Sequence, residues 1–462
     1  MSGPARATAL AVALLATYFA ASLARPVLPV DETRYLAVAW EMWQRGDLLV
    51  PYLNGEPYSH KPPLLFWLVQ AGWALAGVSS WWPRALVALF ALGSLGLLRS
   101  LTRELFPERP EAAGWAPLVL AASWPWAYFS SAVMFDLVLS FFVLLGALGL
   151  VRAWRGGGSG AWVAYAVAVG GGLLTKGPVV LLHLLPVAVL APLWGRGAGV
   201  LGWAWYARLL LGTLGGAAVA LAWAVPAGVS GGEAYRHAIL WGQTAGRMSE
   251  SFAHREPWWF YPAALPVLTI PWWGWPALWR GARSTPLREV GVRFVLVQGA
   301  AALLALSLVS GKQEQYLLPE VAVLAALGGR MLAGRRAGGH ARRGVEGFAA
   351  ASGLVFAVLA VAAVPLLGPA LDLGAVSTTL RSLEARGVPL ANEGKYHGQF
   401  HFLGRLQRPL EVVREEQIPD WLAGHPSGRV VVYFRGDSYQ GPGRVEYVQP
   451  YRGQSLAVVA AP

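Results

Sequence analysis

The chain is a succession of long apolar blocks separated by short polar turns, and that pattern leaves few folds open. A helix that crosses a bilayer needs about 20 mainly apolar residues, because its backbone polar groups must be satisfied internally. Such blocks fall at residues 7–28, 81–98, 113–131, 137–154, 161–175 and 178–194, then at 207–228, 258–279, 291–309, 315–333 and 347–367. Only 13% of the 462 residues are charged, against roughly 25% in ordinary soluble domains, and 55% are hydrophobic. One soluble core does not absorb that much apolar surface. The expectation is a polytopic α-helical membrane protein with about eleven spans. The blocks at 161–175 and 178–194 are short, so tilt or partial re-entry stays open for both. Cysteine is absent, which excludes a disulfide framework and thiolate metal sites.

The net charge of +12 invites a nucleic-acid reading, but the placement of arginine points elsewhere. With a cytoplasmic N-terminus, the inner turns hold Arg99, Arg103 and Arg109, then Arg152 and Arg155, then Arg196 and Arg208. Later inner turns hold Arg280, Arg283, Arg288 and Arg293, then Arg335, Arg336, Arg342 and Arg343. The alternate turns carry fewer cations, set among acids, aromatics and prolines. By the positive-inside rule this is a topology signal, and no nucleic-acid partner is expected. Arg6 before the first apolar block, with Ala20-Ala21-Ser22 near its end, also fits a signal peptide. Its removal would invert the parity of a charge pattern that otherwise fits. Trp pairs at block ends, such as Trp81-Trp82, suit interfacial belts or plain packing.

From about residue 370 the composition changes. Short strand candidates at 410–413, 430–434 and 456–459 are separated by turn sequences such as Gly441-Pro442-Gly443. The domain expectation is a membrane domain over 1–369, with a first outer loop at 29–80, and a small extracytoplasmic α/β domain over 370–462.

The first outer loop is the most informative stretch. Asp31 opens a helical pattern in which Leu36, Trp40 and Trp43 share one face, a face suited to lying in the headgroup plane. Arg34 follows one turn on, and for Asp31 both a helix N-cap and a catalytic base are open. Charges near a bilayer are costly and tend to mark functional sites. Asp31, Glu32, Arg34, Lys61 and Arg84 gather at block ends, and other outer turns add Asp136, Lys176, Arg247, Lys312 and Tyr316. Each alone also reads as a snorkelling anchor or an ion pair. Together, a few carboxylates among several cations suit an anionic lipid headgroup plus an acid/base group. The stretch 229–257, with Gly231-Gly232 and Gly242 about its helical middle, suits a mobile cover.

Residues 31–68, DETRYLAVAWEMWQRGDLLVPYLNGEPYSHKPPLLFWL, resemble the first periplasmic loop of aminoarabinose-transferase-like enzymes. Further stretches follow in the family's order: SSAVMFDLVLSFF at 130–142, GGLLTKGPV at 171–179, ILWGQTAGRM at 239–248, PWWFYPAALPVLTIPW at 257–272 and SLVSGKQEQYLLP at 307–319. These enzymes are related to the protein O-mannosyltransferases and share their GT-C fold. The resemblance implies a glycosyltransferase of the bacterial inner membrane. It would move a sugar from a polyprenyl-phosphate donor to an envelope acceptor on the outer face, with inversion.

The resemblance matches Asp31 to the catalytic carboxylate and Asp136 to a second acidic position. It gives donor-phosphate binding to Arg34, Lys61, Arg247, Tyr316 and Lys312, whose fixed positive charge or hydroxyl would hold a leaving phosphate. Glu32, Tyr35, His60, Lys176 and Gln243 are further pocket candidates. Before the lysine of KPP the family carries Glu where this chain has His60. A divalent metal held by His60 and Asp136 is one reading, and a hydrogen-bonding His60 the other. The acceptor is open between a lipid A-like lipid, another envelope glycan or lipid, and protein hydroxyls. A transporter would place its charges nearer the midplane and show repeated halves, which this sequence does not. A non-catalytic envelope scaffold is the remaining alternative.

Overall fold

The computed structural model describes residues 3–195, 202–246, 256–333 and 339–462. Among them, eight helical stretches are long and apolar enough to cross a membrane. They are Ala5–Leu23, Trp81–Leu105, Phe135–Trp154, Gly158–Lys176, Trp203–Ser230, Val290–Ser307, Glu314–Ala333 and part of Arg343–Ala385.

Three of the expected spans are broken helices. The block at 113–131 forms Ala112–Ala121 and Trp124–Phe129, and that at 178–194 forms Val179–Val189 and Ala191–Trp194. The block at 258–279 forms Phe260–Leu268, a 3-10 turn Trp272–Gly274 and Pro276–Arg283. Pro125, Pro192 and Pro276 stand at the start of the new segments. Proline has no N–H to donate and disfavours helix in the residue before it, so each restarts the helix. Such breaks survive at membrane depth only where protein covers them. Every residue of Ala112–Ala121 is buried.

Contacts divide the chain into two units, neither contiguous in sequence. The first holds Met1–Ala20, Ser59–Leu65 and Trp81–Val358; the second holds Ala21–Tyr58, Phe66–Ser80 and Leu359–Pro462. In the first, Phe135–Trp154 lies against Gly158–Lys176 and Trp81–Leu105, and Leu318–Ala333 lies against Ala112–Ala121. Small residues permit the close crossings. A Cβ on Gly329 would come within 2.6 Å of the Ala112 carbonyl oxygen and 2.7 Å of the Ala116 nitrogen.

In the second unit a two-stranded hairpin pairs β1 (Tyr52–Leu53) with β2 (Glu56–Pro57). Five further strands, β3 (Leu390–Glu393), β4 (Glu411–Val413), β5 (Arg429–Phe434), β6 (Arg444–Tyr451) and β7 (Gln454–Ala460), form a sheet in the order β4-β3-β5-β7-β6. Alternate residues of a strand face opposite sides. Val431 and Val458 therefore pack with Val376 and Leu380 of the helix Gly374–Ala385, while Val430, Val432 and Val459 pack with Ile418 and Trp421. The strands expected at 410–413, 430–434 and 456–459 are β4, β5 and β7. Two strands of this sheet, like the short hairpin pair, escaped sequence reading: β3 has four residues, and β6 is an edge strand rich in exposed positions.

The helix Asp31–Arg45 packs within this unit, and its apolar face is covered by protein instead of lying among headgroups. The Trp40 indole N–H donates to the Leu406 carbonyl at 2.9 Å, and Leu36 and Trp40 are buried. Asn54 exchanges side-chain bonds with both backbone groups of Leu410, at 2.9 and 2.8 Å. Trp73 stacks flat on Phe402 with centroids 5.4 Å apart.

The Gly329 crossing leaves no room for a side chain. Gly329→Val should lower the stability of the detergent-purified protein by about 1–3 kcal/mol, the usual overpacking cost. Gly299→Ala, with open space around the new methyl, should melt within a degree or two of wild type by thermal unfolding.

Candidate active site

In the second unit, the candidate site begins at the first turn of the helix Asp31–Arg45. Val30 is the cap residue and Asp31 the first helical one, and Asp31 makes no capping bond. Its carboxylate instead accepts a hydrogen bond from the Arg34 guanidinium one turn on. Both side chains keep access to solvent, 41% for Asp31 and 24% for Arg34. Burial alone would lower the Arg34 pKa, but Tyr58, Tyr35 and Asp31 around it push it above the ordinary guanidinium value. Tyr35 is buried, with the Arg34 guanidinium 5.5 Å from its ring centre. The Arg34 Nε is buried without a partner among the described residues.

Glu32 faces another way. Arg25 grips its carboxylate with two bonds of 2.5 and 3.0 Å, and the Leu28 backbone N–H adds a third at 2.9 Å. That arrangement fixes the turn into the helix. Glu41, which sequence reading passed over, does similar work at the hairpin. Its buried carboxylate accepts backbone N–H bonds from Asn54 and from Gly55, the latter at 2.9 Å. Burial raises its pKa and the two backbone donors oppose the rise.

In the first unit, a second cluster gathers where helices meet. Asp136 lies in the first turn of Phe135–Trp154 and Lys176 in the last turn of Gly158–Lys176. Helix dipoles favour an anion at the one position and a cation at the other. The two form a salt bridge with side chains only 5% and 6% exposed. The Lys176 ammonium also sits 4.1 Å from the ring centre of Tyr316, which belongs to the 3-10 turn Glu314–Leu317. Lys176, a secondary candidate by sequence, is thus central here. Lys61 lies 5.8 Å from the Phe135 ring centre, and buried Lys312 donates to the Glu256 carbonyl at 2.9 Å.

His60 is exposed. No group of three or more His, Asp or Glu able to hold a metal occurs among the described residues. Among the described residues, the Asp136 carboxylate is held by the Lys176 ammonium, which leaves His60 and Asp136 short of a donor set for a divalent ion. Gln243 belongs to the π-helical segment Ala238–Gly246, while Arg247 and much of the suggested cover at 229–257 lie outside the described residues.

Sequence reading also missed His183 and Glu320, a fully buried pair bonded at 2.9 Å between Val179–Val189 and Leu318–Ala333. Its only signal is a polar residue standing inside each apolar run. The other omission is His397, half-buried within electrostatic reach of Arg34 and Asp31. No local pattern marks it.

Comparison with known proteins supplies the class. Residues 60–226 match the family model described as dolichyl-phosphate-mannose-protein mannosyltransferase. The chain is 32% identical over 318 residues to undecaprenyl phosphate-alpha-4-amino-4-deoxy-L-arabinose arabinosyl transferase 2 of Pseudomonas fluorescens (strain Pf0-1). That match covers 66% of this chain and 55% of the relative, so the chain spans little more than half the relative's length. The corresponding transferase 1 of Sodalis glossinidius is 29% identical over 384 residues, covering 78% of this chain and 64% of that protein. In structure, ArnT from Cupriavidus metallidurans bound to undecaprenyl phosphate superposes with a TM-score of 0.77 at 19% identity, covering 98% of both chains. The Archaeoglobus fulgidus oligosaccharyltransferase superposes at 0.54 and 12% identity, over 91% of this chain and 69% of that one.

The fold is that of the GT-C glycosyltransferases, multi-spanning membrane proteins. Within that class the chain is similar in fold to ArnT of Cupriavidus metallidurans and in sequence to the arabinosyl transferases over the shares given.

Removing one partner of a buried ion pair strands the other charge. Lys176→Met should therefore cost about 3–5 kcal/mol, and the double variant with Asp136→Asn should recover much of it. Unfolding of the purified single and double variants checks this.

Proposed function

We propose that this chain is an integral membrane glycosyltransferase. It moves a sugar from a polyprenyl-phosphate donor to an envelope acceptor, a lipid A-like lipid, on the outer face of the bacterial inner membrane. The observation that carries the reading is the Asp31–Arg34 pair: a carboxylate and a fixed cation one helical turn apart, both open to solvent, in an ArnT-like chain. The orientation is supported by the arginine-rich turns, which alternate with the turns that bear Asp31, Lys61, Asp136 and Lys312.

In the proposed reaction Asp31 takes the proton from the acceptor oxygen as that oxygen attacks the anomeric carbon. The carbon–oxygen bond to the donor phosphate breaks, and the phosphate leaves with the electron pair. The resemblance assigns the stabilisation of the charge that develops on it to Arg34, Lys61, Lys312, Arg247 and the Tyr316 hydroxyl. A single displacement inverts the anomeric centre. Asp136 and Lys176 act as one unit that holds the Tyr316 ring through the ammonium. Tyr35 backs Arg34. Gln243 and His60 stay pocket candidates, with no step routed through a metal.

A second reading keeps the donor chemistry and makes the acceptor a protein hydroxyl. The family matched over residues 60–226 is named for that acceptor class.

With undecaprenyl-linked sugar supplied to purified protein, Asp31→Asn should reduce transfer by about 10²–10⁴-fold while binding of undecaprenyl phosphate persists. Lys61→Ala should weaken that binding. A fully active Asp31→Asn variant would remove the carboxylate from the mechanism. Mass spectrometry of envelope lipids and glycoproteins in a deletion strain separates the two acceptor readings by which class loses a sugar.

A further inference from the structure

The loop Gly394–Gln399 follows β3 and runs along one face of the helix Asp31–Arg45, within the same unit. Positions 41, 37 and 34 of that helix are four and three residues apart and so share a face. Buried Tyr396 lies in the electrostatic field of Glu41. Gly398, at φ +74°, is pressed on Ala37 and Leu53: a Cβ there would come within 2.9 Å of the one and 2.5 Å of the other. A side chain at 398 is therefore excluded both by the backbone angle and by the contact.

Between these two anchors stands His397. Its backbone N–H is tied to the Gln399 side-chain oxygen at 2.9 Å. The imidazole is half-buried, and among the described residues the charges of Arg34, Lys395 and Arg452 act on it in one direction and that of Asp31 in the other. Tyr58 and Tyr35 border the same group from the Arg34 side. The cations outnumber the carboxylate, and Arg34 still has its Nε unpartnered among the described residues. A cluster with that balance is built for an added anion.

We propose that His397, carried by the C-terminal part of the chain, is the titratable member of the anion site around Arg34. It would bind the phosphate of a polyprenyl-phosphate lipid together with Arg34 and Lys395. This rests on the donor reading above and extends it to a residue outside the family-like stretches.

The direction of the pH effect follows from the charges. Burial first, then the charges of Arg34, Lys395 and Arg452, hold the His397 pKa below its ordinary value, so the free site carries a neutral imidazole at pH 7. A bound phosphate favours the imidazolium, and by linkage protonation of His397 favours the bound phosphate. Binding should tighten as pH falls through the His397 range.

The test is binding of undecaprenyl phosphate to the full-length purified protein between pH of about 7.5 and 5.5. Wild type is compared with His397→Gln, His397→Asn and Lys395→Ala, each checked for folding by thermal unfolding. The lipid's own protonation is common to all variants and cancels in the ratios. The wild-type affinity, relative to either neutral replacement, should rise about three- to tenfold on acidification. Lys395→Ala should weaken binding by a pH-independent factor. Undecaprenol, which lacks the phosphate, should show no such dependence, and inorganic phosphate shows whether the site needs the lipid. Equal pH dependence in wild type and both His397 variants would overturn the inference while leaving the donor reading intact. Failure of wild type to bind undecaprenyl phosphate at all would sink the donor reading, and this inference with it.

Discussion

A charge removed from water must be paired, and the first unit is organised by that demand. Asp136 pairs with Lys176, His183 with Glu320, and Arg330 with Glu289. The first two pairs join different helices, and the third ties Leu318–Ala333 to the cap residue of Val290–Ser307. The three contacts therefore act as clamps, since sliding one helix past another would strand a buried polar or charged group. Apolar packing between lipid-immersed helices has no such directional preference, because lipid tails are as apolar as leucine. Register in this bundle is set by its few charges and by the close glycine crossings. That is why the Lys176 ammonium can be held 4.1 Å from the Tyr316 ring centre, with the two residues 140 positions apart in sequence.

The spans were legible in sequence where apolarity is continuous, and less so where proline intervenes. Proline alone does not distinguish the outcomes. Pro226 and Pro365 lie inside continuous helices, while Pro125, Pro192 and Pro276 each open a new one. The difference lies in what the surroundings offer the backbone groups that proline leaves unsatisfied, and that is a tertiary property. The strands follow the same logic. Val430 to Val432 announce β5 because both faces of that strand are covered, which demands an apolar run. β6, exposed along most of its length at the sheet edge, was under no such demand and left no mark.

The candidate site was readable as far as local spacing reaches. Asp31 and Arg34, three residues apart on one helix, meet as helical geometry requires. The N-cap reading of Asp31 failed because the helix starts one residue earlier than that cap would need, at Asp31 itself, which propensity alone does not resolve. Leu36, Trp40 and Trp43 share a face as the periodicity said, yet periodicity names no partner. Headgroups and Leu406 would both have satisfied it. Lys176 reached the centre of its cluster through a carboxylate 40 residues away. His397 joined Arg34 through a loop more than 360 residues downstream. Such encounters are made by topology, which local patterns do not encode.

The chemistry of Arg34 explains why an arginine stands at this position. It already serves one anion, Asp31, and in the proposed reaction must serve a second without releasing the first. A guanidinium presents five N–H donors in a rigid fork and does not give up its proton. One terminal nitrogen is committed to Asp31, while the buried Nε has no partner among the described residues. In the proposed reaction the group keeps its carboxylate in place and offers phosphate oxygen a second directed N–H from the same fork. A lysine would offer a single charge centre on a flexible stem, at which the two anions compete. In the proposed reaction the aspartate is thus held by the same residue that meets the leaving group, which would keep base and phosphate at a fixed spacing.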